Sequence, residues 1–263
     1  MTDAAVVFDD LEAEADELDR LVADLPDAGW ATPTPAPGWS IAHQIAHLAW
    51  TDDRARLAAV DPDGFANEVQ QAAHKINTYV DEGAEEGARL APEALLKRWR
   101  SARAEVLDAL RAVPPKTKLP WYGPPMGAAS MASARLMETW AHGLDVADAL
   151  GASREPTARL RHIAHLAARA RDFSYWMRSE EPPSEPFRIE LTGPGGEEWE
   201  YGPAEAAQRV RGPALDFCLL VTRRRHRADL GLRAEGGDAE HWLDIAQVFA
   251  GPPGAGRQPG QFG

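Results

Sequence analysis

One cysteine in 263 residues, Cys218, excludes an intramolecular disulfide and any cysteine-rich zinc site. Basic residues are also scarce. Lys and Arg number 28 against 41 Asp and Glu, for a formal charge of −13. A surface of that sign repels a phosphate backbone, which excludes non-specific nucleic-acid binding. No stretch approaches the ~18 consecutive apolar residues that cross a bilayer. The start, Met1-Thr2-Asp3-Ala4-Ala5, lacks the basic and apolar segments of a signal peptide. A lone cysteine fits a reducing compartment, so the expectation is a cytoplasmic protein with no membrane partner.

What is present suffices for a real core, since apolar residues make up 44% of the chain. The length allows one large domain or two ordinary ones. Nine tryptophans are many, enough for some to line a pocket. Apolar positions at helical spacing predict a helix over residues 5–27. Ser40 reads as an N-cap, and a second helix runs from there to Val60, stopped by Asp61-Pro62-Asp63-Gly64. Residues 65–113 hold two helical patterns or, because acidic and glycine residues around Asp81 to Gly87 weaken the middle, one interrupted helix, ended by Pro114-Pro115. Trp121 to Gly127 is a rigid aromatic loop. A long helix then covers 128–150 and stops at Gly151, a natural left-handed C′ residue. Four amphipathic helices in the first 152 residues predict an antiparallel four-helix bundle.

From 153 to 263 the pattern changes to α+β. A helix is expected over 155–178. Phe187 to Thr192 alternates as a strand, and Gly193-Pro194-Gly195-Gly196 turns it into a partner over 197–201. Val210 reads as the end of a short strand, 213–222 as the start of an apolar helix, and 239–249 as the last helix. The Gly/Pro-rich tail from Gly251 reads as loose.

The chemistry concentrates at two places. Glu138 and His142 are four residues apart on one helix, hence on one face. His43 and His47 repeat that spacing on another helix. Two such helices packed face to face present imidazole and carboxylate to one divalent ion and leave a position open. Asp145 lies one turn beyond His142 and Asp53 just beyond His47, where each could orient a ligand from behind. Against this stands the plain reading of solvated helix faces and one satisfied core histidine. His47 argues for the metal, because it sits in the apolar run Ala46-His47-Leu48-Ala49-Trp50. Arg135 precedes Glu138 by one turn and reads equally as a clamp for a substrate carboxylate or as an interhelical salt bridge. Cys218, in Phe217-Cys218-Leu219-Leu220, reads as inert core. Arg223 to Arg227 is the one strongly basic patch. Arg223 and Arg225 there are candidates for an anionic substrate or thiol, or simply a solvated helix end. His74 and Tyr79 share a helical region and could reach a cavity.

The residues Gly38-Trp39-Ser40-Ile41 through His47-Leu48-Ala49-Trp50, with Glu138-Thr139-Trp140-Ala141-His142 and Asp145-Val146-Ala147, resemble the DinB-like superfamily. Within it they are most similar to the mycothiol-dependent maleylpyruvate isomerase group of actinobacteria. The resemblance implies a metal-binding four-helix bundle followed by a smaller sterol-carrier-like α+β domain. It implies His47, Glu138 and His142 as metal ligands, with His43 behind them or as a spare ligand. It also implies a low-molecular-weight thiol such as mycothiol as co-substrate, in S-transfer or isomerisation of a small electrophile. Zn²⁺ is the default ion for two imidazoles and a carboxylate, though Ni²⁺, Fe²⁺ and Mn²⁺ also suit them. Two other functions stay open at this point. One is a metal-dependent hydrolase; the other is a non-catalytic small-molecule or lipid-binding protein with a structural metal. A monomer or a homodimer fits either.

Overall fold

The computed structural model describes residues 4–72 and 78–262. The chain forms two compact units, Met1–Arg154 and Glu155–Gly263. It is mostly helical, with one small sheet.

In the first unit, α1 (Ala4–Val22) buries Val7, Leu11, Leu18 and Val22, an apolar stripe at helical spacing. The helix stops short of 27. A 3-10 turn, Asp27–Ala31, follows and buries Trp30. Helix α2 (Ile41–Val60) is the centre of this unit. It packs on α5 (Pro92–Ala112), α6 (Ala128–Leu150) and α4 (Tyr79–Ala88), and on α3 (Pro62–Ala72). That explains why α2 is apolar on nearly every face: Ile41, Ile45, Leu48, Ala49 and Ala55 are all fully buried. Helices α1, α2, α5 and α6 share one core built on Leu18, Ile41, Ile45, Leu95, Trp99 and Val146.

The Asp61-Pro62 step does stop α2, and it also starts α3. Asp61 Oδ1 accepts the Gly64 N–H at 3.0 Å, and Pro62 takes the first helical position, where its missing N–H costs nothing. The interrupted region is therefore three helices, α3, α4 and α5. Gly83 and Gly87 do not weaken α4; they let it approach α2. A Cβ on Gly83 would stand 2.7 Å from Trp50 Nε1, and one on Gly87 2.7 Å from Ala46 Cβ. His74 lies outside the described residues. Tyr79 heads α4, edge-on to Trp50, with its hydroxyl donating to Glu68. The aromatic loop stacks Trp121 on Phe65 of α3, with ring centroids 5.6 Å apart. Gly151 closes α6 in the left-handed conformation, φ +62°.

In the second unit, the expected helix over 155–178 is broken into α7 (Leu160–Arg169) and α8 (Arg171–Trp176). Strands β1 (Phe187–Thr192) and β2 (Glu198–Tyr201) form the expected hairpin, pairing Leu191 with Trp199. Strand β3 (Gln208–Pro213) runs parallel to β1, and Val210 lies within it, opposite Ile189, not at its end. The edge strand β4 (Arg233–Glu235) completes the order β2-β1-β3-β4. Its three residues carry no apolar alternation, so nothing in the sequence marked it. Helix α9 (Ala214–Val221) buries Phe217 and Cys218, and α10 (Gly237–Ile245) ends before Phe249. The tail is docked on its own unit: Gly260 N–H donates to the Asp229 carboxylate at 2.9 Å.

Candidate metal centre

The structure brings three of the sequence candidates together. His47 on α2 and Glu138 and His142 on α6 each offer one ligand atom, all within 4.8 Å of one another. His47 Nε2 is 3.4 Å from Glu138 Oε2, and His142 Nε2 is 3.1 Å from the same oxygen. With ligand bonds of about 2.0–2.2 Å, neighbouring ligands of a tetrahedral ion lie about 3.3–3.6 Å apart. The two separations to Glu138 are therefore close to the edges of a coordination polyhedron.

The hydrogen bonds behind His142 sharpen the point. Thr34 Oγ1 donates to Trp39 O at 2.8 Å, so its oxygen is left to accept from Gln44 Nε2, also at 2.8 Å. Gln44 Oε1 is thus the end that faces His142 Nδ1, and the ring must carry its proton on Nδ1. A neutral His142 then aims the lone pair of Nε2 at a carboxylate oxygen. Two lone pairs at that distance repel unless a cation lies between them or the ring takes a second proton. Gln44 is fully buried on α2, one turn before His47. Its side chain sets the tautomer of a residue on α6.

Trp39 covers the site. Its ring lies 5.3 Å from the His47 ring and stacks on His142 at 5.9 Å. Its Nε1–H donates to Asp81 of α4 at 3.2 Å. Burial by itself would raise the Glu138 pKa, but when the facing rings carry a proton on Nε2, His142 as the doubly protonated imidazolium, their hydrogen bonds and charge outweigh burial and hold the carboxyl well below the usual range. His47 Nδ1 is buried without a hydrogen-bond partner among the described residues.

The remaining candidates lie elsewhere. His43 Nδ1 accepts the Ser40 N–H at 3.2 Å, taking the place of the usual Glu in a capping box, and Nε2 meets Glu85 of α4 at 2.9 Å. Both ring nitrogens are therefore engaged outside the three-residue group. Asp53 pairs with Arg98 at 3.3 Å. Asp145 is buried on α6. Arg135 is 1% exposed and is held by α2: its Nε donates to Asp52 at 2.8 Å and Nη2 to Thr51 Oγ1 at 2.6 Å. Of its two readings, the structure shows the interhelical salt bridge. Cys218 is buried, with Sγ 3.6 Å from Leu160 O, and burial pushes its thiol pKa far up. Gln44 and Trp39 are the contributors that residue-by-residue reasoning passed over. The signal was spacing: Gln44 precedes His47 by three residues, and Trp39 immediately precedes the N-cap.

Residues 11–147 match the family described as the mycothiol maleylpyruvate isomerase N-terminal domain. The chain belongs to that family. A second family description, wyosine base formation, matches residues 183–233. An uncharacterized protein of Mycobacterium tuberculosis, found in two strains, is 56% identical over 257 residues, covering 98% of this chain and all of the relative. Among solved structures, the mycothiol-dependent maleylpyruvate isomerase superposes with TM-score 0.59 at 18% identity, over 88% of this chain and 92% of that one. A point mutant of the same enzyme gives 0.57 at 17%, over 84% and 90%. At such identities the likeness is one of fold. No helix among the described residues is long and apolar enough to cross a membrane.

Proposed function

We propose that this chain is a metal-dependent enzyme that uses a low-molecular-weight thiol, mycothiol or a close analogue, for S-transfer to or isomerisation of a small electrophilic substrate. The N-terminal unit acts as an antiparallel four-helix bundle carrying the metal, and the C-terminal unit as a sterol-carrier-like companion. The observation that carries the reading is the His47, Glu138 and His142 set, the first buried and the other two half-buried, with His142 Nε2 facing a carboxylate oxygen and its Nδ1 committed to Gln44.

In this reading His47, Glu138 and His142 hold a divalent ion, Zn²⁺ by default, and leave a position for a ligand. A bound ion of this kind supplies positive charge that deprotonates a coordinating thiol near neutral pH. Glu138 would stay ionised because positive charge faces it, either the ion or a protonated imidazole. Gln44 keeps the His142 proton on Nδ1 and so keeps Nε2 available. Trp39 shields one side of the group from water. The only thiol in the chain is buried in the other unit, so the nucleophile is external. The protein works in the cytoplasm, where such thiols are reduced.

The test is elemental analysis of the wild type and His47→Ala, followed by thiol titration of the cobalt-substituted wild type. About one metal per chain, lost in the variant, and a thiolate-to-metal absorption band on adding mycothiol are expected. Metal without any thiol response would replace the thiol enzyme by a hydrolase or a structural site. Equal metal content in wild type and variant would remove the assignment of His47.

A further inference from the structure

The C-terminal unit contains a cavity of about 490 Å³ lined by its own residues. Leu220, Leu230 and Leu243 supply an apolar wall, and Arg223, Arg225 and Arg257 a cationic one. Its size is that of a small-molecule site. Two of its charged groups cancel: Arg227 is bound to Asp244 at 2.6 Å, so the one carboxylate in the lining is spent. Arg225 and Arg257 both lie over the Phe262 ring, at 4.4 and 6.0 Å. The tail thereby forms one side of the cavity.

Arg223 is the unusual member. Its Nε is buried and meets no acceptor among the described residues. Burial, reinforced by repulsion from Arg178, lowers its pKa. A guanidinium left in that state costs free energy, because its lost hydration is not replaced. Its backbone is costly as well. Arg223 N–H bonds to Leu220 O and Arg224 N–H to Leu219 O, which makes a Schellman motif ending α9. Arg223 occupies C′ of that motif at φ +57°, the position that favours glycine. Gly256, itself at φ +70°, lies against it: a Cβ there would stand 2.7 Å from Arg223 Nη2. A strained arginine where glycine is natural, with its buried Nε unpaired and its side chain lining a cavity, is an observed outlier of the kind that accompanies ligand sites.

We infer that this cavity binds a small organic anion, a carboxylate or phosphate head on an apolar body, with Arg223 as the residue that grips the head. The planar fork of a guanidinium matches both headgroups, and the leucine wall accepts the body. The inference concerns the C-terminal unit alone and stands or falls without the metal centre.

The experiment is calorimetric titration of the full chain with octanoate and, separately, octyl phosphate. Wild type, Arg223→Gly and Arg223→Lys are compared, each with its thermal midpoint. Saturable binding of at least one probe to the wild type is expected, weaker by about tenfold or more in Arg223→Gly. Glycine suits the C′ position, so the midpoint of that variant stays level or rises, and lost binding is not lost folding. Lysine keeps the charge without the fork and falls between. Preference for one probe assigns the headgroup. No saturable binding of either probe to the wild type, or equal binding by wild type and Arg223→Gly, overturns the inference.

Discussion

Replacing Gln44 by Leu removes the group that decides which nitrogen of His142 carries the proton. The exchange keeps the bulk of a fully buried side chain and deletes both of its polar ends. His142 Nδ1–H loses its acceptor and Thr34 Oγ1 loses its donor. Two penalties follow. Groups that hold a metal-ligating histidine from behind are worth about 10- to 100-fold in metal affinity, which is about 1.4–2.8 kcal/mol at ~1.4 kcal/mol per tenfold. Leaving one buried donor unsatisfied costs a further ~1–3 kcal/mol of stability. Gln44→Glu separates the two. A carboxylate still accepts from Nδ1–H, so metal affinity is largely kept, while the bond to Thr34 is lost and stability falls. The assay is competition for Zn²⁺ against a chromophoric chelator at fixed pH, alongside urea unfolding of the metal-free proteins. If Gln44→Leu holds Zn²⁺ within about twofold of wild type, the tautomer argument is wrong.

Arg135→Met is expected to lose about 3 kcal/mol, because it leaves Asp52 buried without its partner. Burial pushes the Asp52 pKa up and Arg135 pulls it back, so the deficit should shrink in urea unfolding as pH falls and Asp52 takes a proton. A variant as stable as wild type at neutral pH would refute the account of that ion pair. In the sheet, Arg211, Arg188 and Arg209 hold the Glu190 carboxyl down to about 2 from 4.5, with Arg211 foremost and slight burial opposing. A depressed carboxylate stabilises the fold above its unfolded pKa and loses that contribution as pH falls through the folded one. The C-terminal unit should therefore weaken between about pH 4.5 and 2, and Glu190→Gln should flatten that part of the profile. An unchanged acid profile in the variant would show that the cluster carries no pH dependence.

Much of the helical framework was legible because its signals are local. Ser40 before an apolar run, Pro114-Pro115 after one and Gly151 at a C′ position each act on the few residues beside them. They mark the start of α2 and the ends of α5 and α6 closely. The β1–β2 hairpin was legible for the same reason. Strand β4 and the break between α7 and α8 were not. Three edge residues have no periodicity of their own, and only pairing with Arg209 to Arg211 makes Arg233 to Glu235 a strand. The glycines of α4 misled because their propensity is weak in isolation, whereas their missing Cβ atoms matter only when α2 is alongside.

The candidate site divides along the same line. Four-residue spacing alone puts Glu138 and His142 on one helix face, because helix geometry fixes it. Which partner meets them is a matter of packing between α2 and α6. That packing brought His47 to the pair and left His43 capping its own helix against Glu85. It turned Arg135 into a buried tie to Asp52 and put Gln44 behind His142 across 98 residues of sequence. In the second unit, separate packing of the tail closes it over Arg223 and Arg225. A residue's chemistry and its helical phase are written in the chain. Its protonation, partners and exposure depend on distances between segments far apart in sequence, and those exist only after the elements have packed.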